Sequence, residues 1–73
     1  MKAANTPIIQ NGFVNSLRLH VYIEPTQDSE VVCKLRYMTE VEVDHQNSTD
    51  EFYKIYTAIG AEGFCQKDHI ILK

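Results

Sequence analysis

The chain has 73 residues, of which 44% are hydrophobic and 23% charged, and its formal net charge is −3. That length holds a single domain, which buries only about 60% of the surface of its unfolded chain and leaves little room for a deep catalytic cleft. The composition excludes a disordered acidic segment, and no apolar run is long enough to cross a membrane.

Residues 1–10 read as a polar leader, and residues 11–73 as the folded domain. Met1-Lys2-Ala3-Ala4-Asn5-Thr6-Pro7 lacks the apolar centre of a signal peptide, and the layout suggests a module cut from a longer protein. Arg18–Ile23 then alternates polar and apolar, which places Leu19, Val21 and Ile23 on one face of a strand. Glu24–Ser29 is a loop, because Pro25 cannot join a ladder. Val31, Cys33 and Leu35 share the inward face of the next run. Glu40–Asp44 alternates with Val41 and Val43 inward and its three carboxylates outward. A turn cluster over Gln46–Asp50 follows. In Phe52–Tyr56, Lys54 belongs in water, so Tyr53 and Ile55 point in, and Phe52 and Tyr56 join Lys54 outside. Ile59-Gly60-Ala61 turns a hairpin, and Gly63 marks a bulge or a close approach of two backbones. Ile70 and Leu72 close the inward series, opposite His69 and Ile71. No window keeps a helical period, so the fold class is all-β: five to seven short strands in a small sandwich or barrel.

Charge is uneven along the chain. Eight of the ten acids lie between Glu24 and Glu51, against only Lys34 and Arg36 in that span. An acidic middle with scattered Lys and Arg argues against nucleic acid as a partner and suits a cationic ligand, or serves solubility alone.

The order of these pieces resembles that of bacterial SH3 (SH3b) domains. "LHVYIEPTQDSEVVCKL" is similar to the family's L-N-V-R-x-x-P-x-x-x-S-x-V-I-x-x-L signature, and "EVEVD" to the strand that follows it. "DEFYKIY" is similar to G-W-Y-K-V, "AEGFC" to T-G-W-V, and "KDHII" stands where the family has S-x-Y-L. The resemblance covers Gly12 to Leu72 and implies a small SH3-like barrel of five to seven short strands. Departures are Tyr22 for Arg, Glu24 for Gly, Met38 for a turn Gly, Phe52 and Phe64 for two Trp, and His69 for Tyr.

The resemblance implies a non-catalytic module, outside the cell or in its envelope, that binds cell-wall peptidoglycan or its peptide stems beside a hydrolase or another domain of its parent chain. It also implies a shallow groove lined by Phe52, Phe64 and His69, with Tyr22 closing the far wall. Flat rings suit an extended peptide, since they bury area at low entropy cost. Glu24, Asp28, Asp50 and Glu51 lie beside it, where a carboxylate would hold an ammonium or amide of a wall peptide. The competing reading is that both Phe residues only pack and the acids are solvated loop residues. The alternative function is a spacer or protein–protein contact domain without a wall ligand.

Catalysis has no support in the residues. Cys65 and His69 are four apart, but alternation turns Cys65 in and His69 out, and no third group orients them. Asp50 and Glu51 point to opposite sides of an extended chain. The three His and two Cys show no paired-ligand spacing, so no metal or other cofactor is expected. Cys33 and Cys65 both fall on inward positions. Two free buried thiols are the simpler state, and a disulfide between them would add roughly 3–4 kcal/mol.

Overall fold

The structure, a computed structural model, describes residues 8–73. Most of the expected leader falls on residues 1–7, outside the described residues. Seven strands follow in order: β1 (Ile9–Val14), β2 (Arg18–Tyr22), β3 (Val31–Arg36), β4 (Glu40–Asp44), β5 (Phe52–Thr57), β6 (Glu62–Gln66) and β7 (Ile70–Leu72). Two single-turn 3-10 segments, His45–Asn47 and Lys67–His69, interrupt the series. The described residues form no α-helix, and no helix among them is long and apolar enough to cross a membrane. The fold is therefore all-β, as the alternation requires. The sheet starts earlier than expected: Ile9 pairs with Asp44 and Gln10 with Val43, so both belong to the domain and not to the leader.

All seven strands form one antiparallel sheet in the order β3-β2-β6-β5-β4-β1-β7. Every strand gives at least one residue to a single buried cluster: Val14, Leu19, Val21, Leu35, Val41, Val43, Ile55, Cys65 and Ile70. A flat sheet cannot collect one face of all its strands into one cluster. The sheet must curl, as its right-handed twist allows, so that both ends approach the same interior. Closure by a strand ladder does not follow, because among the described residues β3 pairs only with β2 and β7 only with β1. The turn after β3 does the joining instead. Met38 N–H donates to Val14 O at 2.8 Å, and Val14 N–H donates to Thr39 O at 2.9 Å. Met38 turns with φ 70°, a left-handed conformation that a side chain disfavours. The SH3b signature that the sequence resembles has a turn Gly at this position.

The observed register corrects three expected orientations. Val21 opposes Cys33 but Tyr22 opposes Val31, so Val32 is an extra residue on β3. This bulge reverses the alternation beyond it and leaves Val31, expected inside, 43% exposed. Ile23 was also expected inside and is 51% exposed, because β2 ends at Tyr22 and the chain turns outward. Asp44 was expected in water and is 5% exposed. Its carboxylate accepts from Gln46 N–H at 3.1 Å, Asn47 N–H at 3.3 Å, Asn47 Nδ2 at 2.8 Å and Tyr56 Oη at 3.2 Å. It caps the first 3-10 turn, and a run of alternating residues does not reveal that its last member is a cap.

Both cysteines are free thiols. Cys33 lies on β3 and Cys65 on β6, with β2 between them. Strands two apart stand about 9–10 Å from each other, beyond the reach of a disulfide.

Candidate functional site

The site begins at Gly63. A Cβ there would lie 2.5 Å from Tyr22 O and 2.7 Å from Val21 Cγ1. Only glycine lets β6 approach β2 this closely, and the one registered pair between the two strands is Tyr22 opposite Phe64. Phe64 in turn opposes Lys54 on β5, and Phe52 opposes Gln66. Three adjacent strands thus carry Tyr22, Phe64 and Phe52 on one outer surface. The Tyr22 and Phe52 rings meet edge to face at 6.2 Å, and His20 stacks on Tyr22 at 6.2 Å.

The three rings differ in exposure. Tyr22 and Phe64 are half-buried. Phe52 was expected to present its face to a ligand and is only 6% exposed, although it stands outside the main core cluster. Tyr22 packs on it from one side. On the other, a depression of about 260 Å³ is lined by Pro25, Thr26, Gln27, Asp28, Glu51, Phe52 and Gln66. Phe52 is the floor of this depression. The loop after β2 is its wall, shaped by Glu24 N–H donating to Ser29 Oγ at 3.0 Å and Asp28 N–H donating to Thr26 Oγ1 at 3.3 Å. Glu51 is anchored from below, since its carbonyl accepts from Lys67 N–H at 3.0 Å.

Of the expected residues, the fold gathers Tyr22, Asp28, Glu51, Phe52 and Phe64. Glu24 is exposed on the same loop but does not line the depression. His69 stands apart, on the 3-10 turn before β7, where its carbonyl accepts from Asn15 N–H at 2.8 Å. Among the described residues its ring pairs with none of the three rings.

Lys54 is the residue that alternation misplaced in role. Its ammonium lies 4.9 Å from the Phe64 ring centre and 5.9 Å from that of Tyr56, and 3.5 Å from Glu62. A strand lysine among aromatic neighbours is the sequence signal for such a cover. The side chain shields one side of Phe64, so a ligand reaches that ring by displacing a flexible amine rather than by opening the core.

Cys65 faces inward and is fully buried, and burial pushes its thiol up to about 12. Such a group supplies no thiolate near neutral pH. Among the described residues no group of three or more His, Cys, Asp or Glu is placed to hold a metal ion.

No protein-family model, curated protein or solved structure matches the chain.

Proposed function

We propose that this domain is a non-catalytic binding module that takes an extended peptide segment of cell-wall peptidoglycan across Tyr22 and Phe64, with the segment's amines held by Asp28 and Glu51. The observation that carries this reading is the joining of two half-exposed rings to a carboxylate-rimmed depression by three neighbouring strands. Rings give apolar area to a peptide stem and acids attract its ammonium groups, and a weak contact of this kind suffices to hold an attached enzyme near its polymer. The motif order similar to SH3b domains supports the same reading, and with it a place outside the cell or in its envelope. Phe52 serves as the floor, not the contact. Its removal would cost about 3 kcal/mol of folding, so it is a poor probe of binding.

The test is retention of the purified domain on insoluble peptidoglycan beside Phe64→Ala and Asp28→Asn/Glu51→Gln variants, each checked for folding. The native domain is retained, and each variant loses about tenfold in affinity. Absence of retention on walls of several chemotypes would leave the alternative, a spacer or protein-contact domain.

A further inference from the structure

β3 is an edge strand six residues long, with its second side unpaired by any strand among the described residues. Edge strands are ordinarily short, bulged or covered, because free N–H and C=O groups recruit other chains. This one carries a bulge only at its start, between Val31 and Cys33. Its outward side chains are Val32, Lys34 and Arg36, all exposed. The register sets Arg36 directly opposite Arg18 and Lys34 directly opposite His20. Like charges facing each other across a ladder, as Arg18 and Arg36 do, are unfavourable, so this pair does not serve the stability of the hairpin. No acid neutralises it, since the two ion pairs among the described residues involve Lys54 and Lys73. Beside the row lies a groove of about 550 Å³ lined by Leu17, Arg18, Lys34, Leu35, Arg36 and Tyr37. Leu17 is 87% exposed and Tyr37 55% exposed. Arg and Lys distant in the sequence therefore form one basic, partly apolar surface along an open strand.

We infer that β3 accepts an extended acidic segment of another protein as an eighth strand, with its main chain on the free edge of β3 and its carboxylates on Arg18, Lys34 and Arg36. Strand addition draws affinity from main-chain hydrogen bonds and specificity from alternate side chains. A partner reading acidic-apolar-acidic would set its acids on the cationic row and its apolar residues against the opposite face. A second copy of this chain is the wrong occupant, because its own β3 would bring the same cations to the same face. The inference concerns a different part of the sheet from the ring depression, and it stands or falls separately from the wall reading.

The probe is a blocked seven-residue peptide of alternating Glu and Val, titrated into the isotopically labelled domain and followed by amide shifts and hydrogen exchange. Shifts concentrate on Val32–Arg36, and the β3 edge amides become protected. Lys34→Glu/Arg36→Glu, at exposed positions that leave the core intact, weakens this peptide about tenfold and favours a Lys-Val peptide instead. Equal binding of an N-methylated Glu-Val peptide would overturn the strand addition, and equal binding of the Lys-Val peptide by the native domain would overturn the charge reading. Tighter binding of a single-stranded oligonucleotide would assign the cations to phosphate, and a concentration-dependent dimer through β3 would assign the edge to a second copy. Either result overturns the inference, as does a failure of the Glu-Val peptide to bind.

Discussion

The corner where β4 meets β5 and the hairpin of β2 and β3 are built from similar alternating strands, yet they handle polar groups in opposite ways. At the corner, the Asp44 carboxylate takes two backbone N–H groups, an amide and a phenol, while Ser48 Oγ donates to Asp44 O at 2.8 Å and accepts Lys54 N–H at 2.9 Å. No buried side-chain polar atom there lacks a partner within the fold. On the hairpin, arginine faces arginine and an edge runs unpaired by any strand among the described residues. Satisfied polar networks specify a structure, whereas unsatisfied exposed ones mark where a structure meets something else. The ring depression lies between these extremes, with its floor buried and its rim free.

The largest test of this contrast lies where the hairpin joins the rest of the sheet. Gly63→Ala forces a Cβ into Tyr22 O and either drives β6 off β2 or costs about 3 kcal/mol, read from urea unfolding. Binding at the rings should fall with it, since Tyr22 and Phe64 are held opposite each other only there. At the corner, Asp44→Ala removes the cap and strands the Asn47 and Tyr56 donors, lowering the thermal midpoint by roughly 5–10 °C. The side-chain hydrogen bond from Asn47 leads the groups that hold the Asp44 carboxyl below its usual value. Its contribution is therefore complete above the ordinary carboxylate pKa of about 4 and fades as pH falls through the depressed value. Comparing native and Asp44→Asn stability across that range should give a difference that shrinks with acid. A difference that grows would break the account of the corner.

The hairpin and the turn that leaves it after β3 should respond in the other direction. Met38→Gly relieves a left-handed side chain and stabilises by about 1 kcal/mol, read from the same urea curves. The smallest effect is Arg36→Thr, which removes a cation facing Arg18 and raises stability by about 0.3 kcal/mol. If that substitution destabilises, the row serves the fold and not a partner.

Much of this was legible in the sequence, and the limit has a physical origin. Leu19, Val21, Val41, Val43, Ile55 and Ile70 follow from period-two alternation alone, because each lies inside a regular ladder. The glycine at position 63 was legible as a bulge or a close approach, and pairing decides for the approach, to Tyr22. Register was not legible. Val31 fails because Val32 is inserted opposite β2, and the cationic row was missed because Arg18 and Arg36 are far apart until pairing sets them face to face. The candidate site divides in the same way. Its rings were expected from the resemblance to SH3b domains, but the burial of Phe52 depends on how the Pro25–Asp28 loop folds back, and the distance of His69 depends on a 3-10 turn. Alternation reports which side a residue takes within a strand and carries nothing about what a loop later lays over it.

The most direct test of the ring depression as a wall-peptide site is shift mapping of the labelled domain with soluble peptidoglycan fragments. The account predicts saturable shifts at Tyr22, Asp28, Glu51, Phe64 and Gln66, with the Lys54 amine released from Phe64. Shifts confined to other faces, or none at millimolar fragment with the domain folded, would contradict it.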